Sequence, residues 1–231
     1  MCTKTVLAAG VIAAAGLAAH AGAATYSFTN VTGNDVANAA AGEAQLSVSV
    51  SDYAPGQVLF TFMNSGPLAM SITDVYFDDG TLLGIAALID SDDNGGDSGV
   101  DFTQGASPGN LPGGNGIDFN ATSGFTADSD PPVQPNGVNP GETLGVVFNL
   151  INGMSFADII AALDLGLANP GVDMLGGLRI GIHVQGFANG GSESFVNGGD
   201  PDTPPDIIPL PSSVALGAAG LAPMAFRRRR R

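Results

Sequence analysis

The hydrophobic pattern is clearest from Leu46, where Leu46, Val48 and Val50 alternate with Ser47, Ser49 and Ser51. This period of two marks a strand with one buried face. Tyr26 and Phe28 open an earlier strand, and Val58–Met63 follows with Phe60 and Phe62 on one side. Ile72–Phe77 and Leu82–Ile89 come next, joined by the turn residues Asp78-Asp79-Gly80. Val100–Phe102 and Ile117–Phe119 read as two short strands. Leu144, Val146, Phe148 and Leu150 form a longer one, entered through Asn139-Pro140-Gly141. Leu178, Ile180, Ile182 and Val184 form another, and Ser194–Val196 closes the series.

The period changes once. Ser155 can N-cap a run over 155–165, with Asp158 as its capping partner and Gly166 at the exit. Phe156, Ile159, Ile160 and Leu163 share one face at helical spacing. The expected fold is all-β, an antiparallel, jelly-roll-like β-sandwich with one crossover helix near 155–165. Residues 25–199 are enough for one such domain.

The two ends follow different rules. Residues 1–24 read as a secretory signal peptide: Lys4, an apolar stretch from Val6 to Ala19, then small residues suited to cleavage between Ala21 and Thr25. Cys2 lacks the sequence context of a lipid-modified cysteine. At the other end, Pro209-Leu210-Pro211-Ser212 precedes an apolar run of 13 residues, Val214–Phe226, and then Arg227, Arg228, Arg229, Arg230 and Arg231. A full span needs about 20 apolar residues, so this run is short, and Pro223 interrupts it. Five arginines hold the end on the cytoplasmic side. Such a tail inserts transiently through 210–226 and stalls where a membrane enzyme can cut beside Pro209. Residues 200–208, rich in Pro and Asp, are a stiff linker between domain and tail.

With both ends removed, the charge balance changes. Lys4 and five of the six arginines lie in the terminal segments, while all 22 acidic residues lie between Asp35 and Asp206. Arg179 alone opposes them, so the product carries a formal −21. That charge excludes nucleic acid and anionic membrane surfaces as partners, because both need basic contacts. Cys2 is the only cysteine, so a domain freed of its leader forms no disulfide.

One internal motif has metal-ligand spacing. Asp90, Asp92 and Asn94 can supply side-chain oxygens to Ca²⁺, Gly96 its carbonyl, Ser98 a bridged water and Asp101 the closing carboxylate, with Gly95 at the turn. Asp97 stands where such loops place an apolar residue, Asp101 is shorter than the usual Glu, and strands flank the run. The same residues also read as a solvated acidic turn. His183 shares strand parity with Arg179, Gly181 and Gln185, opposite the apolar positions, which suits the solvent face of a sheet. No G-x-S-x-G accompanies it. A carboxylate pair for glycoside hydrolysis is conceivable in so acidic a chain. The aromatic platforms of a sugar cleft are scarce, with no Trp and three Tyr. The Gly/Pro-rich stretches 105–114 and 130–137 read as ordered surface loops without catalytic groups.

The C-terminal segment resembles the PEP-CTERM sorting signals of bacteria, in a Pro-Leu-Pro variant with Leu210 in the place of Glu. The resemblance covers about a tenth of the chain and implies recognition by an exosortase-like membrane enzyme. Phrases such as Asp74-Val75-Tyr76-Phe77-Asp78-Asp79-Gly80 and Gly181-Ile182-His183-Val184-Gln185-Gly186-Phe187 are similar to ectodomains that carry such tails. The resemblance implies no activity for them. The expectation is a non-enzymatic protein, exported by the secretion machinery to the bacterial cell surface or extracellular matrix, with extracellular polysaccharide or matrix as the partner class. A Ca²⁺-dependent adhesion module and a secreted carboxylate-based hydrolase are the alternatives.

Overall fold

The computed structural model describes residues 23–79, 83–89, 99–168 and 177–198. Within them the fold is all-β and antiparallel. The strands are β1 (Ala24–Asn30), β2 (Leu46–Ala54), β3 (Gln57–Asn64), β4 (Ser71–Asp78), β5 (Leu83–Ile89), β6 (Phe102–Gln104), β7 (Thr126–Ser129), β8 (Thr143–Leu150), β9 (Arg179–Gln185) and β10 (Glu193–Gly198). The helices are α1 (Val36–Gln45), the single turn α2 (Val133–Asn136) and α3 (Phe156–Ala168).

The strands form one hydrogen-bonded sheet in the order β5-β8-β3-β2-β1-β10-β9-β4-β7-β6. β3 and β4 stand five steps apart, which in a flat sheet would separate them by about 24 Å. Yet the Phe60 ring of β3 lies 5.2 Å from Phe77 of β4, edge to face. Phe148 of β8 lies 4.7 Å from the same Phe77. The sheet therefore curls until its two halves face each other. The layers are halves of one continuous ladder, joined through β2-β1-β10-β9. Alternation explains the core: Val48, Val50, Val58, Phe60, Phe62, Ile180, Ile182 and Val184 all point inward and are fully buried.

Helices close the two ends of the curl. α3 falls where 3.6-residue spacing places it and runs three residues further, to Ala168. Ser155 and Asp158 pair as expected, Oγ to Oδ2 at 2.7 Å. Ile159 and Leu163 reach the core, and Leu178 N donates to Ala162 O at 3.0 Å. α1 is a second long helix that the strand pattern did not reveal. Asp35 caps it by accepting from the backbone N–H groups of Ala37 and Asn38. It sits tightly on the core because Gly42 faces the Phe195 ring at a distance that leaves no room for a Cβ.

One local expectation changes, and one strand was not foreseen. The stretch around Ile117–Phe119 is not a strand: Gly114–Ile117 forms a 3₁₀ turn, and Asp118 takes a left-handed backbone at φ 50°. Phe119 is buried, but under its own loop rather than in a ladder. β7, with the sequence Thr-Ala-Asp-Ser, has no hydrophobic alternation to announce it and is held by pairing to β4 and β6.

Candidate functional site

The polar residues that the fold brings together lie on the outer face of the β10-β9-β4-β7 half. A bulge makes this possible. Register slips between Ile72 and Asp74, with Thr73 as the extra residue, so Ile72 stays inside while Asp74, Tyr76 and Asp78 turn outward. Asp74 then stands opposite His183 of β9 on one side and Asp128 of β7 on the other. His183 in turn stands opposite Ser194 of β10. The result is a straight row across four strands: Asp128, Asp74, His183, Ser194.

This face is not the solvated surface that strand parity alone implies for His183. A loop spanning 105–122 lies over part of it and forms a small second core of Tyr76, Leu111 and Phe119. Gly181 supplies the seat, since a Cβ there would stand 2.9 Å from Leu111 Cδ2 and 3.0 Å from Phe119 Cζ. Tyr76 donates its hydroxyl to Pro108 O at 3.1 Å.

Arg179 fastens the other edge of the loop. Its Nη2 lies 2.6 Å from Asp78 Oδ2 and its Nε 3.1 Å from the same oxygen. Nη1 donates to Ile117 O at 2.8 Å, Nη2 also donates to Asp118 O, and the guanidinium lies over the Phe119 ring. Asn120 N adds a hydrogen bond to Asp78 Oδ2 at 3.2 Å. The one basic side chain between Lys4 and Arg227 is therefore buried and fully engaged. It serves the fold and leaves the domain surface without a lysine or arginine charge.

The row has unusual electrostatics. Burial pushes the Asp74 carboxyl up to about 7; Thr73 and Tyr76 oppose this by hydrogen bonding, and the neighbouring Asp128 reinforces it by charge and hydrogen bond. Thr73 Oγ1 lies 2.9 Å from Asp74 Oδ2. Burial holds His183 below the ordinary histidine range, against the pull of the Glu193 charge. Burial would raise Glu193, but hydrogen bonds from Thr32, Asn30 and the Asp35 and Asn34 amides outweigh it, and its pKa is lowered. Glu193 thereby ties the segment 30–35, which leads into α1, to β10.

An Asp–His–Ser sequence across a sheet invites comparison with a nucleophilic triad, but the geometry differs. His183 Nδ1 meets Ser194 Oγ at 3.1 Å, and Ser194 is fully buried, so no substrate carbonyl reaches that oxygen. What the row can do chemically is hold a proton on Asp74, opposite Asp128.

Asp90, Asp92, Asn94 and Gly96 lie outside the described residues, as do Pro209, Leu210, Pro211, Ser212 and Arg227–Arg231. Asp101 is described: it immediately precedes β6, with its N–H donating to Asn136 O and its carbonyl accepting from Asp130 N, both at 2.9 Å. Among the described residues no group of three or more His, Cys, Asp or Glu side chains is placed to hold a metal ion. None of their helices is long and apolar enough to cross a membrane. The Asp74–Asp128 and Asp78–Arg179 pairs had no signal in the sequence: Asp78 reads as a turn residue, and Asp128 lies in no expected strand. Comparison with family models, curated proteins and solved structures found no match to this chain.

Proposed function

We propose that the chain is a non-enzymatic structural or interaction protein of the bacterial cell surface or extracellular matrix. It is exported through residues 1–24 and sorted through its C-terminal tail by an exosortase-like enzyme. One observation carries this reading: Pro209-Leu210-Pro211-Ser212, the 13-residue apolar run and Arg227–Arg231 stand in the order that a stalled, cleavable tail requires. The charge distribution supports it. Nearly all basic residues lie in the two removable ends, so processing yields a domain whose surface chemistry is acidic throughout. Such a surface stays soluble and recruits cations or neutral polymers rather than anionic ones.

The test replaces Pro209, Leu210 and Pro211 together with alanine in the full chain. Fractionation should then find the protein retained in the membrane with its C-terminus intact, whereas the natural sequence reaches the surface. Equal surface delivery of both sequences removes the sorting role.

A second reading rests on the Asp90–Asp101 spacing alone: a Ca²⁺-dependent binding module. Calorimetric titration of Ca²⁺ into the full chain, with Asp92→Ala for comparison, supports this reading if only the natural chain gives heat. No heat from either chain dismisses it.

A further inference from the structure

The seam between β4 and β7 is short. Three residue pairs form it: Asp74 with Asp128, Val75 with Ala127 and Tyr76 with Thr126. Beyond β7 only β6 remains, and β6 ends the sheet. One of the three pairs therefore sets two carboxyl groups directly opposite each other. Like charges in that position are destabilising, and burial of Asp74, 4 % exposed, increases the penalty. The pairing is accommodated while the buried Asp74 carboxyl holds its proton.

We propose that Asp74 and Asp128 form a proton-held latch that fastens the β6–β7 edge to the sheet in acid and releases it as the pH rises. Deprotonation places two negative charges across the seam. Among the described residues no lysine or arginine is positioned to offset them, because Arg179 is engaged with Asp78, four residues along the strand.

The groups around Asp74 define the response. From its own strand, Thr73 and Tyr76 hydrogen-bond to it and favour the ionised form. From β7 comes Asp128, and at the end of the same strand Asp130 is engaged by Thr103 of β6 at 2.9 Å. From β9 comes His183, flanked by Ser194 and within the field of Glu193. Because the folded Asp74 holds its proton up to about 7 against 3.8 for an ordinary aspartate, its contribution is fully present below about pH 4 and lost as pH rises through 7. His183 works in the opposite sense: its pKa is lowered, so folding loses stability when acid protonates it. The Asp74 response is thus clearest above the histidine range.

What the latch holds is larger than the seam. Ala106 N donates to Thr126 Oγ1 at 2.9 Å, Gly105 N to Thr126 O at 2.7 Å and Phe77 N to Phe125 O at 3.0 Å. Release of β7 therefore frees the 105–106 end of the loop over the outer face, while the far end stays held by Thr122 N to Phe77 O and Asn120 N to Asp78.

Hydrogen exchange read by mass spectrometry on the full chain tests this at about pH 6.5 and 8.5, with rates corrected for intrinsic exchange. Protection in 99–106 and 126–130 should fall by about four-fold relative to 46–64 in the natural chain, the part of the Asp74 response that remains above pH 6.5. Asp74→Asn, neutral at every pH and of the same shape, should abolish the fall, while His183→Gln should leave it in place. Asp128→Asn provides an independent arm if Asp74→Asn does not fold; it should shrink the fall without abolishing it, because burial of Asp74 persists while the facing charge is gone. Unchanged protection in the natural chain, or an equal fall in either Asn variant, overturns the proposal.

Discussion

Replacing Arg179 with Met retains the apolar stem and removes the guanidinium. Arg179 and Asp78 have side chains only 7 % and 10 % exposed, so the pair is held away from water. The substitution strips Asp78 of both Nε and Nη2 donors and leaves the Ile117 and Asp118 carbonyls without theirs. Breaking a buried pair by removing one partner costs about 3–5 kcal/mol, chiefly because the surviving charge is stranded. The lost contact of the guanidinium with the Phe119 face adds about 1 kcal/mol. Asp78→Ala alone should destabilise by a similar amount, since it strands the guanidinium. The double variant removes both charges, and should be less destabilised than the two singles combined by on the order of 2 kcal/mol. Urea unfolding of the four chains measures this directly. A cost below about 1 kcal/mol for Arg179→Met, the range of exposed pairs, refutes the clasp.

Other consequences follow from the same contacts. Gly181→Val places side-chain atoms where Leu111 and Phe119 rest, so it should lift the 105–122 loop and raise its proteolytic cleavage while β2 and β3 keep their protection. Phe148→Ala removes a ring packed on Phe60, Phe77 and Phe125 and should cost about 3–5 kcal/mol in thermal or urea unfolding. Gly42→Ala forces a methyl group into the Phe195 ring and should cost about 1–3 kcal/mol, read as a lower unfolding midpoint.

The strands legible in the sequence were those with an unbroken alternation and one dry face. β2, β3, β8 and β9 have that pattern, and their register follows from it. The capping residues at Ser155 and Asp158 made α3 visible for a separate, local reason. α1 carried comparable signals, an Asp35 cap and an alanine-rich run, but its polar and small residues set no clear apolar stripe. Its burial depends on long-range contacts: Gly42 to Phe195, Asn38 to Gly190 O and Gln45 to Asn64. The carboxyl row was illegible for the same reason. It requires the strand order β9-β4-β7 and the Thr73 bulge, and neither can be read from spacing within one strand. Parity correctly placed His183 with Arg179 and Gly181, but not the loop that returns to cover that face.

Mass spectrometry of the protein recovered from the cell surface gives the most direct test of the proposed export and sorting. The recovered chain should begin between Gly22 and Thr25 and end before Val214, with no peptide containing Arg227–Arg231. Recovery of surface protein that still carries Arg227–Arg231 contradicts it.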